Sequence, residues 1–203
     1  MAGGAPLTWR LDRVGIPFSL EPRALLTDLQ AAVNAWGEAS GLTFHCLDED
    51  AADQDAADQD AAGGAGGEGV ATITFAFADR TPSGSFVTDG RGGALAACDG
   101  ILRSAPKGEA VSAAAPALSS ATITFDESER WETEGGRHPK REMIPWEDHF
   151  FHILPVALHE LGHALGLSHS SDPADVMSPY YDASKLSLTD NDKARVRQIF
   201  HPQ

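Results

Sequence analysis

His159-Glu160-Leu161-Gly162-His163-Ala164-Leu165-Gly166-Leu167-Ser168-His169 sets three imidazoles and one carboxylate on a short run of chain. His159 and His163 stand at i and i+4, so on a helix both rings project from one face. Glu160 follows the first His and is placed to reach a water on the same metal. Gly166 falls where the helix must stop, and glycine takes up the positive φ of such a turn without steric cost. The turn returns His169 as a third ligand. Three neutral imidazoles suit zinc and leave a fourth tetrahedral position for water, as a catalytic site requires. A purely structural zinc would be closed by a fourth side chain, often Cys, and none is evident.

Outward from this motif, Pro155 belongs in a first helical turn, because deeper in a helix its ring would clash and remove a hydrogen bond. The pattern therefore predicts a helix over 153–166. Beyond it, Thr189 and Asp192 resemble a capping box that opens a C-terminal helix with Val196, Ile199 and Phe200 on its apolar face. Toward the N-terminus, Leu7-Thr8-Trp9-Arg10-Leu11 alternates as a strand. Leu25, Leu26, Leu29, Ala32, Val33 and Trp36 recur at helical spacing after Pro22 and before Gly41, which predicts a helix over 22–40. Residues 42–47, 71–78 and 121–125 read as further strands, and 94–97 as a short edge strand. Residues 130–149 show no clear period.

The chain has 203 residues, enough for one domain with a sizeable core, and no second domain is evident. Its net charge of −15 makes it a poor partner for nucleic acid or anionic lipid. No apolar run is long enough to span a membrane. Asp48, Glu49, Asp50, Asp53, Asp55, Asp58, Asp60 and Glu68 account for much of that charge, within an Asp/Ala/Gly-rich low-complexity loop expected over 48–69. A second surface loop, rich in Ala, Ser and Pro, is expected over 98–120. Met1 to Pro6 lacks a basic region followed by an apolar one, so no signal peptide is expected in this chain. Cys46 and Cys98 offer no disulfide framework. His45, His138, His149, His152 and His201 have no ligand spacing and are read as surface or packing residues.

The extended histidine motif, followed by Val176-Met177-Ser178-Pro179-Tyr180-Tyr181, resembles the metzincin proteases and their Met-turn. Ser170 directly after the third His is similar to the matrixins, the matrix metalloproteinase catalytic domains. Further matrixin-like landmarks are Leu7 to Leu11, Ala35-Trp36-Gly37-Glu38-Ala39-Ser40-Gly41-Leu42-Thr43-Phe44, Phe125-Asp126-Glu127-Ser128-Glu129-Arg130-Trp131 and Leu186-Ser187-Leu188. The resemblance implies an α+β, zincin-like fold: a twisted five-stranded mixed sheet with one antiparallel edge strand, two long helices and a C-terminal helix. It implies that Ala94, Leu95, Ala96 and Ala97 form the edge strand that binds an extended peptide as an added strand. It implies Met177 as a hydrophobic floor beneath the zinc, and Pro179 and Tyr181 in the wall of the pocket beyond the scissile bond. Cys46 and Cys98 would lie at opposite sheet edges, unbonded.

The resemblance also implies where this chain departs. Typical matrixins hold a structural zinc with three His and an Asp. Those places here hold Pro82, Ala97, Thr124 and Gly84, so this second zinc is expected to be absent. A calcium site is expected from the carboxylates of Asp89, Asp126 and Glu129 and the carbonyls of Gly90, Gly92 and Ala94, an oxygen cage of the kind calcium takes. No propeptide with a zinc-blocking Cys is expected in this chain. The family implies a monomeric, secreted zinc endopeptidase acting on protein or peptide substrates. In its reaction, Glu160 takes the proton of a zinc-acidified water and passes it to the leaving amine. Two readings compete: a zinc-containing peptide-binding module that no longer cleaves, and a non-matrixin metzincin.

Overall fold

The computed structural model describes residues 7–48, 72–84, 91–102, 120–134 and 150–201. In chain order the elements are β1 (Leu7–Leu11), α1 (Pro22–Ser40), β2 (Phe44–Cys46), β3 (Thr72–Ala78), β4 (Ala96–Asp99) and β5 (Ala121–Asp126). Then follow β6 (Trp131–Glu132), β7 (Phe151–His152), α2 (Ile153–Ala164) and α3 (Asp190–Phe200). The main sheet runs β2-β1-β3-β5-β4; every pair is parallel except β4 against β5. This is the α+β arrangement with a single antiparallel edge strand. Cys46 on β2 and Cys98 on β4 occupy opposite edges, and the two are not bonded to each other.

Local chemistry accounts for the elements. β1 buries Leu7, Trp9 and Leu11 on one face, the alternation its sequence predicts. In α1, Pro22 sits in the first turn, and the Glu21 carboxylate accepts from the N–H groups of Arg23 and Ala24 at 3.0 and 2.7 Å. Gly41, at φ 74°, ends that helix and donates to Gly37 O at 2.8 Å. The buried stripe of α1 includes Leu25, Leu29, Ala32, Val33 and Trp36. It packs on α2, where the Trp36 indole N–H donates to Leu158 O at 2.8 Å, one residue before His159.

Across the sheet, aromatic rings form a continuous run. Trp9 meets Phe75 edge-on at 5.8 Å, Phe77 stacks on Phe125 at 5.1 Å, and Phe125 meets Trp131 at 5.3 Å. Trp131 then meets Phe151 at 6.3 Å, and Phe151 meets Tyr181 at 5.1 Å. Each such pair contributes about 0.5–1.5 kcal/mol beyond area burial. The run carries the rigidity of the core to Tyr181.

Several sequence expectations shift. The edge strand comprises Ala96–Asp99, so Ala94 and Leu95 precede it rather than belong to it. Gly92, at φ 83°, keeps the chain in a turn; pairing is prepared by Leu95 O accepting from Asp126 N at 2.9 Å. At the other end the Asp99 carboxylate accepts from Ser83 N at 2.9 Å, which holds a polar residue in the strand. The loop expected from residue 98 therefore begins after Asp99; its residues 103–119 lie outside the described ones. The second strand covers only Phe44–Cys46 of the expected 42–47, although Leu47 N still donates to Trp9 O at 2.8 Å. Asp48, assigned to the acidic loop, is anchored: it accepts from Leu11 N at 2.6 Å. Residues 49–71 are outside the described ones. The pairing of β6 with β7 had no periodic signal, because each strand has only two residues and they are far apart in sequence.

Candidate metal centre

α2 ends two residues before the expected 166, at Ala164, in a Schellman arrangement. Leu167 N donates to Gly162 O and Gly166 N to His163 O, both at 2.9 Å, with Gly166 at φ 92°. The turn brings His169 back over the helix. Ring centroids of His159, His163 and His169 lie 4.7 to 5.2 Å apart, and one nitrogen of each falls within 4.8 Å of the others. Among the described residues this is the one group of three His, Cys, Asp or Glu side chains placed to share an ion.

The tautomers follow from the acceptors. His159 Nδ1 lies 2.8 Å from Val176 O, and His163 Nδ1 lies 2.8 Å from Leu167 O. A carbonyl only accepts, so each Nδ1 carries the proton and each Nε2 presents a lone pair. Those two Nε2 atoms face each other at 3.1 Å with no hydrogen between them. Two nitrogens bound to one tetrahedral zinc at about 2.0–2.1 Å would sit about 3.3 Å apart. The donor set therefore fits zinc. Burial disfavours the charged form of both imidazoles: it lowers His159 to about 4, and it lowers His163. His169 is exposed, and its ring makes no such hydrogen bond among the described residues.

Glu160, 7% exposed, neighbours the first histidine, and burial raises its carboxyl to about 7. Beneath the triad, Met177 is fully buried against α2. A Cβ on Gly162 would overlap the Met177 sulfur and crowd the Trp36 ring, so the approach of the Met-turn to the helix requires glycine here. Pro179 is exposed. Tyr181 is half-buried, and its hydroxyl accepts from His152 N at 2.9 Å.

Three further residues support this centre through contacts that sequence spacing does not announce. Asp192, fully buried, caps α3 with Thr189 as expected, but it also accepts from Val176 N at 2.9 Å and Met177 N at 3.4 Å. Asp175 accepts from Ser170, Thr189 and Asn191 side chains. Burial pushes Asp175 upward, but these hydrogen bonds outweigh it and hold the carboxyl below its ordinary value. Arg195 donates to Ser168 O. The capping-box spacing was the available signal for Asp192; nothing local announces a bond to a turn 16 positions away.

The other histidines are structural where described. His152 pairs with Glu132 at 2.9 Å, His201 Nε2 bonds Ser40 O at 2.7 Å, and His45 is exposed on β2. His138 and His149 lie outside the described residues, as do Asp89 and Gly90 of the expected calcium cage. Of the remaining cage residues, Gly92 N donates to Glu129, which ties the segment before β4 to the turn after β5. Asp126 is fully buried; its Oδ1 accepts from Ser128 N at 2.7 Å, and its Oδ2 has no hydrogen-bond partner among the described residues.

The profile of the matrixin family (Peptidase_M10) matches residues 65–201. Human matrix metalloproteinase-25 is 31% identical over 199 residues, covering 96% of this chain and 28% of that protein. Matrix metalloproteinase-2 of Drosophila melanogaster is 28% identical over 196 residues, covering 96% of this chain and 20% of its own length. Mouse matrilysin is 36% identical over 135 residues, covering 65% of this chain and 41% of that one. The chain thus spans about a quarter of the length of the first two relatives. With the profile matching well over half of its residues, the chain belongs to the matrixin family.

Proposed function

We propose that the chain is a zinc-dependent endopeptidase that hydrolyses peptide bonds of extended polypeptides. One observation carries the reading. Two imidazoles, fixed as Nδ1–H tautomers by main-chain carbonyls, turn their Nε2 lone pairs toward one point with His169, beside the buried carboxyl of Glu160. His159, His163 and His169 would hold one zinc. When bound, zinc supplies a Lewis acid for the scissile carbonyl and acidifies water toward a pKa of ~7.

The chain's own residues do the rest. Glu160 takes the proton from the attacking water on a carboxylate oxygen and returns it to the leaving amine; burial raises its carboxyl, which favours the protonated form it passes through. β4 is the last strand of the sheet, so a substrate laid along its outer edge would add as a further antiparallel strand. Leu102 N donates to Ala164 O at 2.7 Å, fastening the chain after β4 to the end of the histidine helix. Tyr181, held by Phe151 and His152, and the exposed Pro179 would wall the pocket past the scissile bond, with Met177 as floor.

The buried Asp126 oxygen, without a hydrogen-bond partner among the described residues, supports the calcium site expected of Asp89, Gly90, Gly92, Ala94, Asp126 and Glu129, of which Asp89 and Gly90 lie outside those residues. By analogy with the family, the reading extends to action outside the cell, as a monomer, on protein substrates. No helix among the described residues is long and apolar enough to cross a membrane.

The test is incubation with a quenched fluorogenic peptide library, with and without a chelator. Cleavage that the chelator abolishes is the expected result. A zinc-loaded protein that binds peptides and leaves them intact would favour the non-cleaving module instead.

A further inference from the structure

The three histidines are not held alike. His159 and His163 sit on a buried helix, and each has its ring locked by a carbonyl. His169 lies in a loop, is exposed, and lacks that lock among the described residues. Its main chain, however, is gripped from α3. Arg195 Nη2 donates to Ser168 O at 2.7 Å and reaches His169 O and Ser168 Oγ, each at 3.4 Å. Arg195 is one turn beyond Asp192, on the same face of α3. Asp192 holds the N–H groups of Val176 and Met177, and Val176 O is the acceptor for His159. One helix face therefore grips both the turn that locks the first ligand and the loop that carries the third.

We propose that Arg195 is a positioning residue for the metal centre, fixing the carbonyls of Ser168 and His169 so that the exposed imidazole is presented to zinc. The inference rests on the reading of the triad as a zinc site. Nη1 is buried and has no hydrogen-bond partner among the described residues; all three contacts come from Nη2 alone, which the long, always-charged Arg side chain carries across from α3 to the loop. Its positive charge opposes a bound cation, so clamp and charge pull zinc affinity in opposite directions; Asp175, close enough to feel that charge, offsets part of it.

The test compares wild type, Arg195→Met and Arg195→Lys. Zinc affinity is measured by competition with a chromophoric chelator. The visible spectrum of the cobalt(II)-substituted protein and the melting temperature of the metal-free protein are recorded alongside. Loss of such an outer contact typically costs about 10–100-fold in metal affinity. Arg195→Met is expected to weaken zinc by about that factor and alter the cobalt spectrum, with little change in metal-free melting. Arg195→Lys keeps the charge and one donor nitrogen on a shorter stem, so a smaller loss of affinity is expected. Unchanged affinity and spectrum in Arg195→Met would overturn the inference, as would tighter binding, which would mean that charge outweighs the clamp. Should Arg195→Met fail to fold, Arg195→Ala takes its place, and an Ala variant with wild-type affinity and spectrum overturns the inference equally. A wild type that binds no zinc would sink the zinc reading itself; a wild type that binds zinc no better than Arg195→Met would sink only the role of Arg195.

Discussion

After α2, hydrogen bonds run from ring nitrogens to main-chain carbonyls: His159 to Val176 and His163 to Leu167. In the turn at residues 81–84 no ring nitrogen takes part, and the bonds serve only to shape the turn and tie it to β4. Ser83 N donates to Asp99 on β4, Gly84 N donates to Thr81 O, and the hydroxyls of Thr81 and Ser83 meet at 3.2 Å. The first pattern uses up the ring donors and leaves lone pairs converging. The second joins a turn to an edge strand, and Pro82, Gly84, Ala97 and Thr124, where the resemblance would put a second ligand set, carry no zinc-binding side chain. The edge strand keeps its register against β5 all the same, from Ala96 opposite Phe125 to Asp99 opposite Thr122. Positioning a strand takes only hydrogen bonds, whereas activating water takes convergent donors.

The largest effect expected of any single change is at Glu160. Glu160→Ala should keep zinc and lose roughly 10²–10⁴-fold or more in turnover, the range that a general acid–base contributes. Steady-state cleavage of a fluorogenic peptide with elemental analysis reads both. Near-normal turnover would remove Glu160 from the chemistry and reduce the first region to a metal clip.

Gly162→Ala tests whether that region depends on close packing. The new methyl must displace the Met177 sulfur or the Trp36 ring. Overpacking of this kind costs about 1–3 kcal/mol, and the melting temperature should fall by about 2–4 °C per kcal/mol for a chain of this size. An unshifted melting curve would mean that the Met-turn is looser than its burial implies.

Much of this was legible in the sequence, for a physical reason. His159, His163 and Gly166 act through helical periodicity and a helix stop, both local. Glu160 and the Thr189 cap are local as well. The bonds from Val176 and Met177 to Asp192, and from Arg195 to the third ligand's loop, link distant segments and leave no periodic trace. The edge strand was read two residues early because Asp99 looks like a strand end until its carboxylate finds Ser83. The β6–β7 pair has too few residues for any period to appear.

In the second region the expected effects are smaller. Calcium should raise the melting temperature, and Asp126→Asn with Glu129→Gln should abolish the rise. At 100 times its dissociation constant a ligand stabilises by about 2.7 kcal/mol. A melting temperature indifferent to calcium would leave Asp126 a buried carboxylate without a cation.

The smallest effect concerns Asp28, buried in α1, where it accepts from Glu134 N at 3.0 Å. Burial raises its pKa. A raised carboxyl binds its proton more tightly folded than unfolded, so the ionised form costs stability as pH rises through the folded value, and the cost vanishes below the unfolded one. Asp28→Asn should therefore stabilise slightly at neutral pH, with the gain fading toward pH ~4. Melting curves across that range check it; a gain that persists in acid would point to packing rather than charge.

Zinc per chain, by elemental analysis of exhaustively dialysed protein, tests the contrast between the two regions most directly. The account predicts one zinc per chain in the wild type and none in His163→Ala. Two zinc ions per chain would place a metal in the second region, and a wild type without zinc would contradict the triad.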